Sequence, residues 1–129
     1  MIFVDTGAWF ATLVPDDIFH SAAAEFVRTN EEPLVTTDYI LDELLTLLRA
    51  RGHSSRGDVF VRQVLEGRIT RLEWVTDDDF VQAALVYRRN TSWSFTDCVS
   101  NTVTRRLGIK KAFAFDEHFK QFGTVNVVP

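Results

Sequence analysis

The chain is 129 residues long, with 46% hydrophobic, 25% charged and 12% aromatic residues and a net charge of −4. That length and apolar content suit one domain, spanning residues 1–129, with a core large enough to fold without staples, and six Gly and three Pro exclude collagen-like or low-complexity chains. The one cysteine, Cys98, excludes an intramolecular disulfide, and no basic-then-apolar leader or membrane-length apolar run is present, so a cytoplasmic protein is expected.

In chain order, Ile2-Phe3-Val4 is a short apolar run ending at Asp5, the pattern of a strand buried on both faces. Ala8 to Leu13 reads as a short helix stopped near Pro15. Asp16 to Arg28 reads as an amphipathic helix with Phe19, Ala22, Ala23, Phe26 and Val27 on one side. Asn30 to Pro33 is a turn and Leu34-Val35-Thr36 a candidate strand. The clearest helix runs from Asp38 to Arg51, with Leu41, Leu44, Leu45 and Leu48 at helical spacing and Gly52 as its stop. A helix over Ser55 to Glu66 and a strand over Ile69 to Val75 follow. Thr76 then N-caps a helix through Val81, Ala84, Leu85 and Tyr87, and Ser94 opens another that closes at Gly108. Lys111 to Phe115 is a strand ending at Asp116, and Gly123 to Val128 an edge strand. Strands alternating with helices predict parallel βαβ units, with ligands beyond the carboxyl ends of the strands.

Charge is unevenly distributed. Residues 1–48 hold nine acids and one base, Arg28, a net −8, whereas residues 49–111 carry a net +5. Solvated helix faces account for much of such a pattern, but a basic middle segment also suits a phosphate backbone.

Four acids stand out. Asp5 and Asp116 each follow an apolar strand, Asp97 lies three residues after Ser94 at a helix start, and Glu43 sits on the Leu-rich helix. Singly, each has an ordinary role: Asp5 and Asp116 as helix caps, Asp97 in a Ser94–Asp97 capping box, Glu43 on a solvated face. Together they can converge on one sheet edge, where uncompensated carboxylates would raise one another's pKa values. A hard divalent cation such as Mg²⁺ removes that conflict. Spacing does not choose between Glu43, roughly 40° from Leu47 on a helical wheel, and Asp42, roughly 60° from Leu45. The three histidines lack zinc-type spacing, and no glycine-rich phosphate loop or nucleophile elbow is present.

The ordered set of Asp5-Thr6, Glu43 within Leu41-Asp42-Glu43-Leu44-Leu45, Thr96-Asp97, and Phe115-Asp116-Glu117-His118-Phe119 resembles the PIN-domain nucleases, specifically the small toxins of VapBC type II toxin–antitoxin systems. The resemblance covers the whole chain. It implies an α/β fold, a three-layer α/β/α sandwich with a central parallel sheet, and a Mg²⁺- or Mn²⁺-dependent endoribonuclease. It assigns Asp5, Glu43, Asp97 and Asp116 as metal ligands, chooses Glu43 over Asp42, and places Thr6 and Thr96 beside the acids as orienting hydroxyls. Some members carry a further acid where this chain has His118. The resemblance also implies an RNA substrate, gripped by candidates among Arg49, Arg51, Arg56, Arg62, Arg88 and Arg89. It further implies a cognate antitoxin and a homodimer; Trp9, Phe10 and Phe19 are candidate apolar surface for it, although all three also read as core. Two other readings are weighed: a non-catalytic PIN-like module that binds RNA or protein, and a retroviral-type aspartic protease suggested by Val4-Asp5-Thr6-Gly7-Ala8, whose all-β fold the long helices oppose.

Overall fold

A computed structural model describes residues 1–129. The chain runs β1 (Ile2–Val4), α1 (Thr6–Leu13), α2 (His20–Thr29), β2 (Leu34–Thr37), α3 (Asp38–Ala50), α4 (Ser54–Leu65), β3 (Arg71–Glu73), α5 (Asp77–Arg89), α6 (Phe95–Arg106), β4 (Lys111–Phe113), α7 (His118–Gln121) and β5 (Asn126–Val128). The five strands form one sheet in the order β3-β2-β1-β4-β5, every pairing parallel. Successive side chains of a strand point to opposite faces. Ile2, Phe3 and Val4 are all buried, so helices cover the sheet on both sides. This is the expected α/β architecture with a central parallel sheet, and the all-β protease reading is excluded by it. No helix is long and apolar enough to cross a membrane.

Strand order reverses direction at β1: β2 and β3 are added on one side, β4 and β5 on the other. In an open parallel sheet, the crevice at such a reversal lies between the carboxyl ends of the two strands that diverge there. Val4 stands opposite Phe113 in the register, and the Asp5 amide extends the ladder by donating to the Phe113 carbonyl at 3.0 Å. The chain therefore leaves β1 at Asp5 and β4 towards Asp116 on one edge.

Local chemistry explains where the elements begin and end. The hydroxyl of Thr37 accepts the Ile40 amide and starts α3, and Gly52, at φ +80°, takes the left-handed conformation that stops it. Ile40, Leu41, Leu44 and Leu48 are the face of α3 that is buried. Helix α1 begins two residues earlier than its apolar run suggests. Helix α2 begins at His20, four residues later than expected at Asp16, because the Asp17 carboxylate accepts the Phe19 amide at 3.0 Å and closes a local turn that competes with helix. Strands β3 and β4 are shorter than their apolar patterns: pairing covers Arg71–Glu73 and Lys111–Phe113. Of the three residues expected as apolar surface, Trp9 and Phe10 belong to the core, while Phe19 is 43% exposed and stacks on Phe115 with ring centres 4.5 Å apart.

Helices α5 and α6 pack against each other, and an ionic lock fixes one end of the pair. Thr76 and Asp79 form a reciprocal capping box at the start of α5. Asp79, 1% exposed, also accepts two hydrogen bonds from the Arg106 guanidinium near the end of α6, both at 2.7 Å, and Arg106 reaches Glu73 as well. Burial alone would raise the Asp79 carboxyl, but the Arg106 fork and the Thr76 amide outweigh it and hold it below its ordinary value. Its stabilisation is therefore present above the usual carboxylate range and is lost as pH falls through the lowered value. Arg106→Ala strands a buried carboxylate and is expected to cost about 2–3 kcal/mol, read from urea unfolding at neutral pH; a loss under about 0.5 kcal/mol would show that the lock contributes nothing beyond a surface ion pair.

Candidate functional site

The edge at which β1 and β4 end carries an open cleft of about 400 Å³, lined by Asp5, Thr6, Gly7, Glu43, Leu47, Ser92, Ser94, Asp97, Asp116 and His118. All four acids singled out in the sequence meet there. No Lys or Arg lines it. Two clefts of similar size lie between α5 and α6 and between α3 and α4; Arg89, Arg105 and Arg106 stand among the acids of the first and Arg49 among those of the second. Asp42 lines the α3–α4 cleft whereas Glu43 lines the acidic one, so the helix turn separates two residues that spacing could not.

Each acid reaches the cleft by a different local device. Asp5 occupies the N-cap position of α1 but its side chain accepts no cap hydrogen bond, which leaves the carboxylate to the cleft. It is 6% exposed. Asp97 does fulfil the capping box: its amide donates to Ser94 Oγ at 3.1 Å and its Oδ2 accepts the Ser94 amide at 3.1 Å. The cap and the cleft position belong to the same carboxylate, so the cap orients it. Asp116 Oδ1 accepts the His118 amide at 2.8 Å, in the turn that leads into α7. Glu43 projects from the exposed side of α3.

The electrostatics are those of charge without compensation. Burial, together with the charges of Asp97, Asp116 and Glu43, raises the Asp5 carboxyl from 3.8 to about 7 against the opposing pull of the Thr6 amide. Thr6 Oγ1 is buried and has no hydrogen-bond partner, although its residue lines the cleft. An orphaned hydroxyl beside four carboxylates fits a group with open coordination positions or bound water. Thr96, the other hydroxyl expected to orient the acids, does not line the cleft.

His118 is the cleft residue that reading the acids alone misses. Its Nδ1 lies 2.9 Å from Asp97 Oδ2 and 3.3 Å from Asp116 Oδ1. Donor atoms of Asp97, Asp116 and His118 all fall within 4.8 Å of one another, a convergence that could hold a metal ion. The sequence signal was its position two residues after Asp116, where some of the proteins that the chain resembles carry an acid.

The PIN-domain family model matches residues 2–125. The chain is 36% identical over 132 residues to the 23S rRNA-specific endonuclease VapC20 of Mycobacterium tuberculosis, covering 100% of this chain and 99% of the relative. It is 29% identical over 126 residues to a VapC ribonuclease of Archaeoglobus fulgidus, covering 90% of this chain and 77% of that protein. The crystal structure of M. tuberculosis VapC20, described as a sarcin–ricin loop cleaving toxin, superposes with a TM-score of 0.91 at 32% identity, over 100% of both chains.

The raised Asp5 pKa has a consequence for the metal-free protein. Between about pH 4 and 7 the folded state holds a proton on Asp5 that the unfolded state has released, so stability falls as pH rises through that window. The slope approaches about 1.4 kcal/mol per pH unit. In EDTA, wild-type stability relative to Asp5→Asn is expected to decline across the window and level off above it; a difference independent of pH would mean that Asp5 ionises freely.

Proposed function

We propose, on the premise that the chain belongs to the PIN-domain family, that it is a divalent-metal-dependent endoribonuclease and the toxin of a toxin–antitoxin pair. The observation that carries this reading is the convergence of Asp5, Glu43, Asp97 and Asp116 on one cleft that no Lys or Arg lines. The names of the relatives, a 23S rRNA-specific endonuclease and a ribonuclease, supply the substrate class. The proposal assigns Asp5, Asp97, Glu43 and Asp116 as the groups that hold the cation, Mg²⁺ or Mn²⁺, with Thr6 as an adjoining hydroxyl. Thr96, kept in the proposal as an orienting hydroxyl, would have to act from outside the cleft.

A cation bound there lowers the pKa of a coordinated water and offsets charge developing on the phosphodiester. The chain's own residues do the positioning. The capping box fixes the rotation of the Asp97 carboxylate, and the β1–β4 ladder fixes the chain at Asp5. Arg88 and Arg89, at the end of α5, precede the segment whose Ser92 and Ser94 line the cleft, and neither pairs with a carboxylate. Arg51 is likewise free of carboxylate partners, and the proposal takes Arg88 and Arg89, on the stretch of chain that leads to Ser92 and Ser94, as the pair that grips an RNA backbone. Arg62 is engaged with Asp58, Arg49 with Ser54 and Arg56 with the Leu13 carbonyl.

The 36% identity over the whole chain makes 23S rRNA the substrate of first choice. The partner of a toxin is a cognate antitoxin, and a cationic segment of such a protein is complementary to an acidic cleft that holds no Lys or Arg. A homodimer completes the proposal. Phe80, Val81 and Tyr87 on α5, with Trp74 ahead of it, are roughly half or more exposed and give a second copy apolar surface to cover.

The test is cleavage of purified ribosomes and 23S rRNA, mapped by primer extension. Activity is expected with Mg²⁺ or Mn²⁺ and abolished by EDTA. Asp97→Asn is expected to lose more than the roughly 10–100-fold that outer-shell partners of a metal cost. Cleavage that survives EDTA or both Asp5→Asn and Asp97→Asn would overturn the reading, and growth inhibition equal in wild type and Asp5→Asn would favour a binding module instead.

A further inference from the structure

We propose that His118 is a nitrogen ligand in the cation site, and that the site consequently selects Mn²⁺ over Mg²⁺. The inference rests on the reading of the cleft as a cation site and deepens it, because the four acids alone supply only oxygen donors.

The first support is geometric. In an octahedral shell with bonds of roughly 2.1 Å, adjacent donor atoms lie about 3 Å apart. His118 Nδ1 stands 2.9 Å from Asp97 Oδ2 and 3.3 Å from Asp116 Oδ1. Those separations are the ones that neighbouring donors of a single cation adopt. Without an ion the Nδ1–Asp97 contact is a hydrogen bond with the proton on Nδ1; to ligate through Nδ1, the neutral imidazole would carry its proton on Nε2 instead.

The second support is how firmly the ring is aimed. His118 opens α7, its amide is held by Asp116 Oδ1 at 2.8 Å, and the next residue, Phe119, is fully buried with its ring 6.1 Å from that of Phe3 in β1. The neighbours on the other side of this short helix turn away: Glu117 and Lys120 pair with each other at 3.1 Å on the exposed surface. The imidazole is thus anchored to the central strand and set against two acids of the cleft. The third support is independent of the acids. Thr6 Oγ1, in a residue only 4% exposed and lining the same cleft, has no partner of its own.

The donor set then carries the selectivity. Mg²⁺ takes oxygen ligands and retains water, whereas an imidazole nitrogen shifts relative affinity towards first-row transition metals. Two carboxylates and an imidazole favour Mn²⁺ where carboxylates alone would accept either ion.

The test needs no RNA. Mn²⁺ is titrated into wild type, His118→Ala and Asp97→Asn, with binding read by calorimetry and the bound ion examined by pulsed electron paramagnetic resonance; Mg²⁺ is titrated in parallel. Wild-type protein is expected to bind Mn²⁺ more tightly than Mg²⁺ and to show nitrogen hyperfine coupling to the bound ion. His118→Ala is expected to lose the coupling and roughly tenfold of the Mn²⁺ affinity, with a smaller change for Mg²⁺. Bound Mn²⁺ without nitrogen coupling in wild type overturns the ligand role of His118 and leaves the acidic cation site standing, a result that does not depend on the variant folding. An unchanged ratio of the two affinities in folded His118→Ala overturns the selectivity. Failure of wild type to bind either ion, or equal binding by Asp97→Asn, removes the cation site itself.

Discussion

Asp5 stands at the carboxyl end of the central strand with its carboxylate almost out of water and three more carboxylates lining the same cleft. A charged group in that position costs free energy twice, once for the lost solvation and again for like-charge repulsion. Without a cation, the molecule relieves the cost by holding a proton. On the proposed reading, a divalent cation would take the same four acids as ligands and relieve the conflict. Much of the architecture can be understood as the frame that forces these acids together: a parallel sheet whose order reverses at β1, helices that start where strands end, and a core that holds the strand ends in register.

The frame is built from unremarkable parts. The Asp79–Arg106 lock ties the start of α5 to the end of α6, while Asp97, at the start of α6, lines the cleft. The Ser94–Asp97 capping box would appear in any well-capped helix. Here it also fixes the rotation of a carboxylate in the cleft, so a structural motif and a chemical one share a side chain. The cap at Asp5 is the converse. The residue type is right for a cap, but the side chain is withheld from that role.

The sequence was most legible where a pattern is enforced by burial on one element. The Leu41–Leu44–Leu48 face of α3, the stop at Gly52, the N-caps at Thr76 and Ser94 and the apolar run of β1 all follow from local rules and stand in the structure. It was less legible where a local side-chain bond competes, as with Asp17 holding the chain in a turn ahead of α2. Strand ends were overextended because apolar character continues past the last paired residue; Phe115 packs on Phe19 and Phe113 beyond the end of the β4 ladder.

The cleft was legible as residue types and order, and much less so as geometry. Family resemblance favoured Glu43 over Asp42, and the helix turn gives the physical reason, directing them to different clefts. His118 went unassigned because a lone histidine in a short helix carries no signal until its ring is seen against two acids. Diffraction from Mn²⁺-soaked crystals on either side of the manganese absorption edge addresses the cation site directly. One anomalous peak is expected within roughly 2.0–2.3 Å of carboxylate oxygens of Asp97 and Asp116; crystals with an accessible cleft and no peak there, or a peak only elsewhere, would contradict a cation site at the strand ends.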